Sequence, residues 1–141
     1  MDLDRVIAFY HALTPESIGR FAEFYGADAY FKDPFNEVRG VEAIQHIFTH
    51  MFRQVDGPRF VVTEHVRDGH GAMLVWEFSY RVSRWGQGDA QVIRGVSHLK
   101  FGDDGKINYH RDYWDAAEEL YMKLPVIGRL MGWLRSALSA G

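Results

Sequence analysis

Hydrophobic positions along the chain change their period twice, and the changes divide it into a helical first third, a strand-rich middle and a helical tail. Leu3, Val6, Ile7 and Tyr10 recur at helical spacing. "TPES" at 14 to 17 then offers Thr14 as an N-cap with Pro15 at the first helical position, which predicts a second helix burying Ile18, Phe21, Ala22 and Tyr25 and stopping at Gly26. "ADAYFKD" reads as a short strand closed by Pro34, which has no N–H to give to a neighbour. After Gly40, the positions Val41, Ile44, Phe48, Met51 and Val55 mark an amphipathic helix that Gly57 and Pro58 end.

From residue 59 the period becomes two. "RFVVTEHVR", "AMLVWEFSYRVSR", "AQVIRGVSHLKF" and "INYHRDYWD" read as four strands, joined by turns at "DGHG", "WGQGD" and "GDDGK". Within the second of these, Leu74, Trp76, Phe78, Tyr80 and Val82 share one face, which is most simply core or the wall of an apolar cavity. The order predicts an α+β fold, a curved antiparallel sheet with helices packed on one side. The tail, 116 to 141, is broken at Leu124-Pro125 and carries Leu130, Trp133 and Leu138 beside Arg129 and Arg135. That pattern suits packing over the sheet, a pocket mouth or a second subunit, with a membrane-surface helix as the rival.

Bulk properties narrow the function. With 141 residues the chain has the size of one domain, and an aromatic share of 15% suggests a ring-rich core or pocket. The net charge of −3, with scattered basic residues, argues against nucleic acid. Without cysteine there is no thiolate nucleophile or disulfide, and without HExxH, paired His spacing or a glycine-rich phosphate loop neither a metal nor a nucleotide cofactor has support. No run of 18 apolar residues predicts a membrane span, and the acidic start "MDLDRVIAFYHAL" is unlike a secretory leader, so the cytoplasm is the default location.

This order of elements, with "AYFKDPFNEVRGVEAIQHIF" and "GVSHLKFGDDGKINYHRDYWD", resembles the nuclear transport factor 2-like superfamily of cone-shaped domains, and within it the ketosteroid isomerases and SnoaL-like polyketide cyclases. The resemblance covers residues 2 to about 115, so that 1–115 is the expected cone domain and 116–141 an extension of it. It implies that Asp33 holds the place of the isomerases' general base, that Tyr10 falls close to the tyrosine that donates to the enolate oxygen, and that Ser97 replaces the second, carboxylic acid donor. Trp114 matches an aromatic that walls the isomerase pocket. By the alternation of the last strand, His110 and Asp112 share its face and Tyr109, Arg111 and Tyr113 take the other.

Simpler readings stand beside these. Asp33 before proline suits a turn in which the carboxylate accepts backbone N–H groups, and "HRDYWD" suits a solvated strand end. Arg94 and His98 fall on the face of their strand opposite Ser97, as the outer sheet surface or a dimer contact would have them. The leading expectation is a homodimeric, cofactor-independent enzyme that moves protons (isomerase, cyclase or dehydratase) on a small hydrophobic carbonyl compound. Asp33, Asp112, His110, Tyr10 and Ser97 would do the chemistry, and Trp114, Phe35, Phe31, Phe48 and Trp76 would hold the substrate. A non-catalytic hydrophobic-ligand-binding or dimerisation domain is the alternative.

Overall fold

A computed structural model describes residues 2–81, 90–119 and 125–139. The "WGQGD" turn, Val82 and the break before Pro125 lie outside the described residues. Helix α1, Leu3–His11, is capped by the Asp2 side chain, which accepts from the Arg5 N–H at 3.2 Å, and its apolar stripe buries Leu3, Val6, Phe9 and Tyr10.

The Thr14 cap forms as expected, in a reciprocal box with Ser17, but the segment it starts is a 3₁₀ helix, Pro15–Arg20, running into one α-turn, α2, Phe21–Phe24. Three residues per turn puts Ile18, Phe21 and Phe24 on one face, so Phe24 is buried and Ala22 exposed. Gly26 is accordingly no cap: strand β1, Tyr25–Lys32, has already begun.

Strand β2, Glu37–Arg39, is too short to show a period and was invisible in the pattern. Gly40, at φ +104°, introduces helix α3, Val41–Gln54. This helix ends one residue before Val55, and Gly57 and Pro58 fall inside strand β3, Asp56–Asp68, where the register slips between Asp56 and Arg59. Strands β4, Gly71–Arg81, β5, Ala90–Phe101, and β6, Ile107–Tyr113, follow, the last pair joined by a tight turn at Gly102–Lys106.

The six strands form one curved sheet in the order β2-β1-β6-β5-β4-β3. All neighbours are antiparallel except β1 and β6, which run parallel. A parallel pair needs a long connection, and here α3 and four strands separate the two.

One face of the sheet is buried under α1 and α3. Leu74, Trp76, Phe78 and Tyr80 point there from β4, and Ile93, Gly95, Ser97 and Leu99 from β5. Rings join the layers: Tyr10 meets Phe60 edge-on at 5.8 Å, and Phe48 meets Phe31 at 6.0 Å between centroids. His11, one residue after Tyr10, accepts the Val62 N–H of β3 at 2.9 Å beside a second register slip, which pins the end of α1 against the sheet.

The opposite face carries Arg94, 3.9 Å from both Glu77 and Glu119, and His98, edge-on to Tyr109, as parity predicted. Helix α4, Ala116–Glu119, follows β6, and helix α5, Pro125–Leu138, leaves Leu130, Trp133 and Leu138 exposed. Among the described residues no helix is long and apolar enough to cross a membrane.

Candidate active site

Three neighbouring strands and one helix end bring polar side chains into an otherwise apolar interior. The register pairs Ser97 of β5 with Asp112 of β6 and Leu99 with His110, so all four residues face inward. Asp112 is the meeting point. Its Oδ1 lies 2.5 Å from Ser97 Oγ and 2.6 Å from His110 Nε2. On the far side of Ser97, the Trp76 indole N–H donates to Oγ at 2.8 Å. On the far side of His110, Nδ1 lies 2.7 Å from the Tyr25 hydroxyl, which in turn is hydrogen-bonded to the Tyr10 hydroxyl.

Chemistry of the groups orients this chain. An indole N–H can only donate, so Ser97 accepts from Trp76 and gives its own proton to Asp112. An ionised carboxylate can only accept, so His110 presents Nε2–H to Asp112. When the imidazole is neutral, its Nδ1 accepts from Tyr25, and Tyr25 accepts from Tyr10. In that state every proton in the chain points towards Asp112. No buried side-chain nitrogen or oxygen among the described residues is left without a partner.

Burial is the largest influence on both phenols and pushes their pKa values up. For Tyr25 the neighbouring Tyr10 and the charge of Asp112 act in the same direction; for Tyr10 the hydrogen bond shared with Tyr25 opposes the rise and Asp112 adds to it. Both tyrosines stay protonated at any ordinary pH and act as neutral hydrogen-bonding groups.

Tyr10, Phe48, Trp76, Ser97, His110 and Asp112 line one cavity, whose walls are completed by Phe60, Val62, Leu74 and Leu99. Room for the centre of a water molecule amounts to about 20 Å³. On that measure one water needs about 10–15 Å³, so the cavity has room for one.

Other residues expected at the site lie elsewhere. The Asp33 carboxylate is taken up by its own turn: Oδ1 accepts the N–H groups of Phe35 at 2.8 Å and Asn36 at 2.6 Å, and the Asn36 amide spans both oxygens at 3.1 Å. It is not among the cavity-lining residues. Phe35 is 55% exposed and meets Trp114 edge-on at 5.5 Å; Trp114 is half-buried against the core, and neither ring lines the cavity. Phe31 is fully buried behind the lining, edge-on to His110 at 4.8 Å.

Replacing Asp33 with alanine is expected to cost about 1–2 kcal/mol, through the two backbone N–H groups it leaves partly unpaired, and Asp33→Asn to cost less because the amide oxygen still accepts. Urea unfolding of the two variants measures the difference.

Tyr25 is the residue that sequence reasoning missed. It looked like the buried end of a helix, and only its place at the start of β1, beside β6 through the Tyr25–Ile107 pairing, brings its hydroxyl to His110.

A six-stranded curved sheet, wrapped by N-terminal helices around a buried His–Asp pair, defines a nuclear transport factor 2-like cone domain. Residues 6–110 match the SnoaL-like domain family, and the chain belongs to that family. The match takes in Tyr10, Tyr25, Ser97 and His110 and stops two residues short of Asp112.

Solved structures agree on the fold. A SnoaL-like polyketide cyclase, so described, from Jannaschia sp. CCS1 superposes with a TM-score of 0.70 at 12% identity, over 82% of this chain and 86% of the other. A protein with a ketosteroid isomerase-like fold from Catenulispora acidiphila DSM 44928, in complex with trimethylamine, gives 0.67 at 16% identity, over 81% and 85%. An LEH-like epoxide hydrolase from M. tuberculosis gives 0.66 at 20% identity, over 96% and 91%. None of the curated proteins compared with the chain matches it.

Proposed function

We propose that this protein is a cofactor-independent acid–base enzyme that moves protons on a small apolar carbonyl compound inside the cone. The observation that carries the reading is the convergence of Tyr10, Ser97, His110 and Asp112 on one ring-walled cavity, with Asp112 held by two donors at 2.5 and 2.6 Å. A carboxylate fixed by donors on one oxygen keeps its other oxygen for a substrate proton. His110 is oriented to stabilise it, and Ser97 is locked by Trp76.

The resemblance ranks Asp33 as the base; the geometry favours Asp112 for that role, since Asp33 is spent on its turn. The family and the structural neighbours support a small-molecule-converting domain, and the reaction type within proton transfer is the proposal. The same reading takes the chain as a homodimer through the outer sheet face, where Val66, Met73, Val75 and Tyr113 stand exposed.

The size of the cavity favours a second reading. Space for one water is too little for a substrate ring, so the cavity has to widen for a ligand to reach Asp112. A cone that stays shut is a structural module without chemistry.

One experiment separates the two. The full chain is incubated in D₂O with a panel of small cyclic ketones and enones, and deuterium at the carbon beside the carbonyl is followed by mass spectrometry. Enzyme-dependent incorporation supports the proton-transfer reading. Rates equal to buffer for every compound, with no chemical-shift change at Trp76 or His110, support the closed module.

A further inference from the structure

The hydrogen-bonded chain beyond His110 returns to the cavity it started from. Asp112 and Tyr10 both line that cavity, and Tyr25 joins Tyr10 to the ring nitrogen that faces away from Asp112. Tyr25 itself is 1% exposed and is not among the lining residues. It touches neither the cavity nor Asp112, yet it sits between two groups that do the facing.

Donor counting gives this link two states. With one proton shared by the His110–Asp112 pair, that proton lies on Nε2, because a bare Nε2 against a carboxylate oxygen at 2.6 Å would set two lone pairs against each other. Nδ1 is then an acceptor, Tyr25 donates to it, Tyr10 donates to Tyr25, and Tyr10 shows only lone pairs to the cavity. When His110 carries a proton on both nitrogens, Nδ1–H donates to Tyr25, Tyr25 donates to Tyr10, and the Tyr10 O–H is turned into the cavity.

We propose that Tyr25 is a positioning residue that couples the proton count of the His110–Asp112 pair to the hydrogen-bonding sense of Tyr10. The inference deepens the acid–base reading above and rests on it for its functional meaning.

The proton path balances. A proton passes from a group in the cavity to the Tyr10 oxygen, the Tyr10 proton moves to Tyr25, and the Tyr25 proton moves to Nδ1 of His110. Three bonds to hydrogen break and three form. The donor is left as its conjugate base, facing a Tyr10 that has become a hydrogen-bond donor, and the imidazolium is balanced by the Asp112 carboxylate. The phenols remain neutral before and after, as their burial requires.

The groups packed on His110 are consistent with such a store. Tyr10 faces it from α1 at 6.2 Å and Tyr25 from β1 at 6.0 Å between ring centroids. Phe31 of β1 and Leu99 of β5 are apolar, and Asp112 is the charged group in contact with it.

The test uses the full chain labelled with 3-fluorotyrosine and ¹⁵N-histidine, with Tyr10 and His110 assigned from Tyr10→Phe and His110→Gln. Fluorine and long-range ¹H–¹⁵N spectra are followed across the pH range in which the chain stays folded. The Tyr10 fluorine is expected to shift with the same midpoint as the His110 ring nitrogens. In Tyr25→Phe, which keeps the ring and removes the hydroxyl, His110 should still titrate while the Tyr10 shift falls to less than half. What survives measures the through-space effect of the imidazolium.

The idea is overturned by a Tyr10 signal that ignores His110 in the unmodified chain, by one that keeps its full shift in Tyr25→Phe, or by a His110 that holds one proton throughout. Should Tyr25→Phe not fold, Tyr25→Met, which also removes the hydroxyl from the buried position, is read in its place against the same halving of the Tyr10 shift. Turnover does not enter, so an inactive protein can still show the coupling and an active one can lack it.

Discussion

Asp112→Asn is expected to lower the rate of deuterium incorporation by about 10²–10⁴-fold, the range that a positioned general base contributes. Asparagine is the informative replacement because its amide oxygen can still accept from Ser97 and His110, so the network keeps its shape while the site loses its carboxylate. The melting temperature should stay within a few degrees of the unmodified chain. Asp112→Ala removes the acceptor altogether and leaves the Ser97 O–H and the His110 Nε2–H with no group to donate to in a mostly buried site. Each such group costs about 1–3 kcal/mol, so this variant should be both inactive and visibly less stable. Asp33→Asn, assayed beside it, should keep most of the rate. A parallel loss in Asp33→Asn with retention in Asp112→Asn would move the base back to the turn.

These two aspartates show which part of a site is legible in a sequence. Parity groups His110 with Asp112 on β6 and separates Ser97 from Arg94 and His98 on β5, and the strands alternate that way. Which of the two faces points inward was implied by the resemblance and not by the period. Asp33 lies where no period applies. Its direction is set by local bonds to Phe35 and Asn36, and a turn that satisfies its own carboxylate leaves nothing to aim into a cavity.

The misread stretch, 15 to 26, failed for a related reason. A four-residue α-turn after a 3₁₀ segment has too few residues to distinguish a period of 3.0 from one of 3.6, and with that choice went Tyr25. The size of the cavity was equally out of reach. An apolar stripe such as Leu74, Trp76 and Phe78 lines a pocket or fills it, depending on how Phe48 and Phe60 from other elements lie against it.

Gly95→Ala is expected to be the most damaging single methyl at the site. In "RGVSH" the glycine looks like a weak point of a strand, but it is the register partner of Trp76, and the indole lies across the place where its side chain would be. A Cβ at Gly95 would come within 2.5 Å of Trp76 Cη2 and 2.6 Å of Cζ2, with Trp114 Cβ 3.1 Å away on the other side. The methyl cannot be absorbed without moving the indole, and the indole is held by its N–H to Ser97. Overpacking of this kind costs about 1–3 kcal/mol, which for a domain of this size is a fall of roughly 3–10 °C in melting temperature. The displaced Trp76 also releases Ser97, so the donor that fixes one side of Asp112 becomes free to turn. Trp76→Phe in the Gly95→Ala background separates the two effects: the smaller ring should recover most of the stability, whereas the Ser97 hydroxyl, still without its indole donor, should leave the deuterium-exchange rate low. Recovery of rate together with stability would show that Trp76 supports the site only by packing.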